Sequence, residues 1–260
     1  MVNARRVRVY LVPACLSPTL LVDGVAVVID VLRATTTIVH ALAAGCTAIR
    51  PMGDVEEARR TANGLPAGKV LLAGERGGLK LPDFDLGNSP VEYVPGRCKD
   101  TTLILTTSNG THALLRAAAA ARVLVGAFVN YSAVCEQLLT TERPIHLVCA
   151  GDEGEPCLED TLLAGALVET LCAHREVVLN DAARLAWDSF ENNRTMLRMA
   201  MEASSGGERL CALGYAADID AAARVDVFNF VPELQREPLR LTIGPVGVRA
   251  SYWPGPPCPR

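Results

Sequence analysis

The run Val25-Ala26-Val27-Val28-Ile29 restricts this chain more than any other segment. Five consecutive apolar, mostly β-branched residues read as a fully buried strand. The run ends abruptly in Asp30 and Arg33, followed by Thr35, Thr36 and Thr37 where a helical pattern begins. In open α/β sheets, ligands bind in the crevice beyond the carboxyl ends of the strands. Asp30 and Arg33 are therefore expected where a charged ligand can be held.

The rest of the chain repeats that rhythm. Strands are expected near Val7 to Leu11, Thr47 to Pro51, Lys69 to Ala73, Thr102 to Thr106, Val123 to Gly126, Ile145 to Cys149, Val225 to Phe230 and Leu239 to Ile243. Helices are expected near Thr35 to Ala44, Asp54 to Asn63, Thr111 to Ala121, Tyr131 to Thr140, Cys157 to Ala173 and Asn180 to Met201. Such alternation makes an α/β protein with a mostly parallel or mixed sheet flanked by helices. The order strand, polar loop, helix, strand, helix occurs from Val27 and again from Leu103, with His40-Ala41-Leu42 echoed by His112-Ala113-Leu114. One α/β domain over residues 1–250, or two intertwined similar lobes, both suit this pattern. Gly74 to Gly96 lacks an amphipathic period and reads as a long functional loop. Residues 251–260, with four prolines, read as a flexible tail.

Half of the 260 residues are hydrophobic, enough for a sizeable core, and 25 basic against 29 acidic residues leave a formal charge of −4. This balance offers no footprint for nucleic acid or an anionic membrane, so any anionic ligand must be captured by a few placed residues. The nine cysteines show no Cys-x-x-Cys pair and several sit within apolar runs. They read as small buried hydrophobes in a reducing compartment. The amino terminus lacks the pattern of a secretory signal, and a cytoplasmic protein is expected. A homo-oligomer is compatible with the composition.

Four polar constellations carry chemistry. Asp30 can bind a hard cation while Arg33 grips an oxyanion, with Thr35 and Thr36 at the helix start; a plain salt bridge or helix cap is the competing reading. Thr106 to Thr111, with Ser108, Asn109, Gly110 and Thr111, groups donors suited to phosphate, but it lacks the lysine of a Walker loop. Glu75 and Arg76, with Asp85 to Ser89, suit a wall of an anion site. Among the carboxylates after Ala150, Glu159 and Asp160 lie on a helix and are the better metal candidates, whereas Asp152, Glu153 and Glu155 are expected to be solvated. Asp83-Phe84-Asp85 matches the Asp-x-Asp of aspartyl-phosphate enzymes only superficially, because no buried strand precedes it. The four histidines lack metal spacing and read as structural.

In order, Asp30-Val31-Leu32-Arg33-Ala34-Thr35-Thr36-Thr37, Gly74-Glu75-Arg76-Gly77, Phe84-Asp85-Leu86-Gly87-Asn88-Ser89-Pro90, Ser108-Asn109-Gly110-Thr111 and Glu159-Asp160 resemble the motifs of the 2-phosphosulfolactate phosphatase family. The resemblance spans roughly Val25 to Gly165. It implies a three-layer α/β/α sandwich and Mg²⁺-dependent hydrolysis of 2-phosphosulfolactate to sulfolactate and phosphate, a reaction on a route to coenzyme M. It also implies Asp30, Arg33, Glu75 and Asp85 as catalytic residues and Asp30, Glu75, Glu159 and Asp160 as metal ligands. Arg33, Thr35, Thr36, Arg76, Asn88, Ser89, Ser108, Asn109, Gly110 and Thr111 would contact substrate. Two alternatives stay open: a metal-dependent hydrolase of another small acidic phosphate ester, and a non-catalytic anion sensor.

Overall fold

The computed structural model describes residues 5–66, 68–246 and 251–254. The strands are β1 (Arg5–Tyr10), β2 (Val25–Ile29), β3 (Ala48–Pro51), β4 (Val70–Arg76), β5 (Leu79–Lys80), β6 (Thr102–Thr106), β7 (Arg122–Gly126), β8 (Ile145–Cys149), β9 (Val177–Leu179), β10 (Phe230–Arg236) and β11 (Leu239–Val246). The helices are α1 (Ala34–Ala43), α2 (Val55–Asn63), α3 (Pro95–Cys98), α4 (Gly110–Ala117), α5 (Tyr131–Thr140), α6 (Leu158–His174), α7 (Asp181–Asn193), α8 (Leu197–Glu202), α9 (Ser205–Ala212) and α10 (Ala216–Ala222).

Among the described residues the strands join in the order β5-β4-β6-β3-β11-β10-β7-β2-β8-β1-β9. Two parallel half-sheets, β4-β6-β3 and β7-β2-β8-β1-β9, meet at the antiparallel hairpin β10-β11. The join is narrow. Glu233 pairs with Leu124 on one side and Leu241 with Ile49 on the other. About the hairpin, β2-α1-β3 and β6-α4-β7 occupy corresponding places, each crossing from one half-sheet to the other. The similarity of the segments from Val27 and Leu103 is thus a property of the topology.

Strand alternation assigns the faces. Val25, Val27 and Ile29 pack with Phe128, Tyr131, Leu162, Leu167 and Phe190 on the side of α5, α6 and α7. Ala26 and Val28 turn the other way, to a cluster with Ile38 and Val39 of α1 and Ala113 and Leu114 of α4. Leu103 and Leu105 of the other half-sheet enter that same cluster, so α1 and α4 are buried against both halves. Ile104 faces Met52, Ala58 and Phe84 beside α2. Both faces of the sheet are covered by helices, as expected for an α/β sandwich.

Several sequence boundaries move. The strand expected at Val225 to Phe230 begins only at Phe230, because Asp226 takes a positive φ of 58° and its carboxylate accepts from Ser132 N and Oγ at 2.7 and 2.6 Å. That tie makes a turn, and Pro232 then falls at the register shift of β10. The helix expected from Asn180 to Met201 ends at Asn193 in a 3-10 turn, Arg194–Met196, before α8. Asn192 and Asn193 bond back to the Asp188 and Ser189 carbonyls there. The long loop from Gly74 holds a hairpin: Gly77 and Gly78, at φ 59° and 86°, form the tight turn joining β4 to β5. Tyr252 and Trp253, read from the sequence as tail, are half-buried, with Trp253 edge-on to Phe128 and Tyr131. Residues 255–260 of that tail lie outside the described residues.

Candidate active site

The segments following β2, β4, β6 and β8 converge on one cleft, joined there by α9. It is lined by Asp30, Arg33, Glu75, Asn88, Ser108, Asn109, Asp152 and Arg209, together with Leu32, Gly77, Gly78, Glu153 and Leu210.

Asp30 stands one residue beyond β2 and is 8 % exposed. Its Oδ1 accepts from Ala34 N at 3.1 Å, while its carbonyl accepts from Thr35 N and Oγ1, each at 2.8 Å. Its Oδ2 has no protein donor among the described residues and faces Gly110, where a Cβ would stand only 2.5 Å away. Helix α4 can begin this close to the carboxylate only because residue 110 is glycine. Burial pushes the Asp30 carboxyl up to about 7; the Ala34 N–H and Arg33 oppose the rise, and Glu75 and Glu159 add to it.

Arg33 is 4 % exposed and already engaged. Its Nη1 donates to Asp218 Oδ2 at 2.8 Å, its Nη2 to the Gly78 carbonyl at 2.5 Å, and its guanidinium lies 4.6 Å from the Tyr215 ring centroid. Asp218 accepts from Ser89 Oγ with its other oxygen, at 2.6 Å. Arg33 therefore pairs with a carboxylate from α10, not with Asp30 as the plain salt-bridge reading supposed.

Glu75 is a brace. Its carboxylate accepts from Gly78 N at 2.8 Å and from Ser108 N and Oγ at 2.7 and 3.2 Å, tying the β4-β5 turn to the loop after β6. Asp160 braces the other side: Oδ1 accepts from Val31 N at 2.8 Å and Oδ2 from Gly151 N at 3.2 Å. Burial pushes its carboxyl well up, with Asp30 and Glu159 reinforcing the rise. Burial likewise raises Glu159, whose Oε2 has no hydrogen-bond partner among the described residues. Glu159 and Asp160 are not among the residues lining the cleft.

The other sequence candidates divide. Asn88, Ser108 and Asn109 line the cleft; Asn88 has a buried Oδ1 without a partner among the described residues, and Asn109 Nδ2 donates to Asp152 Oδ1 at 3.0 Å. Thr35 and Thr36 are fully buried, with hydroxyls spent on the Asp30 and Val31 carbonyls, and Thr111 is spent on Thr107. Ser89 is spent on Asp218. Arg76 turns from the cleft to the Glu75 carbonyl and Thr106 Oγ1. Asp85 is exposed and does not line the cleft; its Oδ2 accepts from Leu72 N of β4 at 2.7 Å. Asp152, expected to be solvated, joins Asn109 to Arg209, whose Nη1 donates to its Oδ2 at 2.6 Å. Tyr215, Asp218 and Arg209 all come from the region after Val177, where short helices of mixed composition carry no motif at fixed spacing. The Ser204 hydroxyl capping α9 is a local signal there, as is Asn180 capping α7, but neither marks a site.

A profile of the 2-phosphosulpholactate phosphatase family matches residues 10–237. The chain belongs to the 2-phosphosulfolactate phosphatase family. A relative in Thermotoga petrophila is 42 % identical over 213 residues, covering 80 % of this chain and 88 % of its own. Relatives in Deinococcus radiodurans and Caldanaerobacter subterraneus are 40 % identical over 237 residues and 39 % over 209, covering 88 % and 80 % of this chain and 93 % and 87 % of their own. All three are named probable 2-phosphosulfolactate phosphatase. The family match extends past α9 and α10, so it includes the cleft residues contributed by the chain's last third.

The donor set can be weighed against the magnesium ion expected from the sequence. Among the described residues, no three or more His, Cys, Asp or Glu side chains are grouped as a metal site. Glu75 and Asp160 spend both carboxylate oxygens on backbone N–H groups. Asp30 Oδ2 and Glu159 Oε2 remain, two carboxylate oxygens without protein donors among the described residues, the second of them buried. Magnesium commonly takes one or two carboxylates and completes its shell with waters and substrate phosphate, so Asp30 Oδ2 on the cleft, with Glu159 behind it near enough to raise its carboxyl, suits such an ion.

Proposed function

We propose that this protein is a cytoplasmic, Mg²⁺-dependent phosphatase that hydrolyses 2-phosphosulfolactate to sulfolactate and phosphate, as on a route to coenzyme M. Membership of the family supports the reaction class. The observation that carries the proposal is the charge of the cleft. Asp30, Glu75, Asp152 and Glu153 line it, Arg33 is neutralised by Asp218, and Arg209 is paired with Asp152. A cleft so acidic repels a phosphate ester unless a cation lies between them, which also argues against a receptor that binds anions alone.

Asp30 and Glu159 would hold the magnesium ion. When bound, it supplies neutralisation of the phosphate and acidification of a water. The chain's own groups do the positioning. The Asn88 and Asn109 side-chain amides and the amino-terminal end of α4 present donors toward the phosphate oxygens, while Ser108 Oγ stays on Glu75. Arg33 stiffens the wall opposite through Asp218 and Gly78. The eight described cysteines are free thiols, which suits a reducing compartment.

Phosphate release from 2-phosphosulfolactate, 2-phospholactate and 2-phosphoglycerate, each with Mg²⁺ and with EDTA, tests the reading. Fastest release from phosphosulfolactate, abolished by EDTA and restored by Mg²⁺, is expected. Equal rates on all three esters would contradict the substrate assignment, and EDTA-resistant turnover would contradict the metal.

A further inference from the structure

2-Phosphosulfolactate carries, besides its phosphate, a carboxylate on the phosphate-bearing carbon and a sulfonate one methylene further out. A site for it needs a cation beyond the phosphate donors. Of the two arginines lining the cleft, Arg33 has both terminal nitrogens engaged and is nearly fully buried. Arg76 turns to the Glu75 carbonyl and Thr106, and Lys80 donates to the Phe84 carbonyl; neither lines the cleft. Arg209 differs. Its side chain is 41 % exposed, it lines the cleft from α9, and among the described residues only Nη1 is engaged, with Asp152.

Guanidinium presents five N–H donors in a planar fork, so the edge bearing Nε and Nη2 can take two oxygens of one oxyanion while Nη1 stays on Asp152. Asp152 holds that fork in place, because its second oxygen is fixed by Asn109 Nδ2. The pair thereby links the phosphate side of the cleft, at Asn109 and Ser108, to its rim at Arg209. We propose that Arg209, positioned by Asp152, is the specificity-determining residue that binds the sulfonate of the substrate. The proposal rests on the phosphatase reading above. The sulfonate is assigned in preference to the carboxylate because it extends furthest from the phosphorylated carbon, toward the rim where Arg209 stands.

The test compares kcat/KM for 2-phosphosulfolactate and for 2-phospholactate, which has hydrogen where the sulfonate stands, in the wild-type protein, R209Q and R209K. Sulfolactate binding is followed by calorimetry. R209Q is expected to reduce the preference for phosphosulfolactate over phospholactate about tenfold or more, chiefly through KM, and to weaken sulfolactate binding in parallel. R209K should retain part of the preference, as a point charge without the fork. Because both substrates are read on one preparation, the ratio is independent of the fraction correctly folded. A ratio unchanged in R209Q, with the wild type active, overturns the Arg209 assignment alone. A wild-type protein that neither hydrolyses phosphosulfolactate nor binds sulfolactate overturns the phosphatase reading and this subsite together.

Discussion

At the scale of single residues, the site turns on how closely Asp30 and Gly110 approach. A methyl at position 110 would meet Asp30 Oδ2 and Ala34 Cβ at 2.5 Å, and neither can retreat: Asp30 is held by Ala34 and Thr35, and Ala34 begins α1. Gly110→Ala should therefore destabilise the fold by about 1 to 3 kcal/mol, as overpacking does, and depress phosphate release beyond the loss of folded protein. Urea unfolding together with activity per folded molecule checks both. Asp30 was legible in the sequence because a buried strand rarely ends in a carboxylate without a use. The need for glycine at 110 was not, since the contact spans 80 positions and depends on how two loops meet.

At the scale of elements, α9 and α10 complete a site that the strand-end loops begin. Arg33 and Asp218 form an ion pair whose side chains are 3 % and 1 % exposed, so removing one partner strands a buried charge. Asp218→Ala should cost about 3 to 5 kcal/mol, and Asp218→Asn less, because it keeps a hydrogen-bonding group of the same size. Denaturant midpoints of the two variants measure the difference. The strand-end loops announced themselves through clustered hydroxyls, amides and charges, but their sequence did not separate residues that face the cleft from those that staple the loops. Thr35, Thr36 and Thr111 are staples. Asp218 and Arg209 escaped notice because their role exists only once α10 and α9 fold back over the β2 and β8 loops.

Another element, β8, contributes one acid-sensitive group to the stability profile. His146 is 2 % exposed, its Nδ1 lies 3.1 Å from Tyr10 Oη, and burial, aided by Arg8, lowers its pKa from 6.5 to about 4. The folded protein thus prefers the neutral ring. The stability this contributes is fully present above pH 6.5 and is lost as pH falls toward 4. Thermal melts across that window should show a shallower acid decline in His146→Gln than in the wild type; parallel curves would contradict the assignment.

Over the whole molecule, two parallel half-sheets share the layer formed by α1 and α4 and are joined by a carboxyl-terminal hairpin. The alternation of strands and helices and the covered sheet were readable from hydrophobic periodicity, since each buried run must face an apolar layer. The strand order was not, because β10 and β11 enter the sheet's centre through one pairing on each side and no local signal marks that destination. This crossing of chain between halves brings the ends of β2, β6 and β8 to one cleft and concentrates carboxylates there. In the proposed reaction these carboxylates serve phosphate ester hydrolysis, with Asp30 at the centre. The direct measurement is the rate of phosphate release from 2-phosphosulfolactate at saturating Mg²⁺ by the wild type and by Asp30→Asn, with folding verified for both. A loss of about a hundredfold or more in the folded variant is expected; release at the wild-type rate would exclude Asp30 from the reaction.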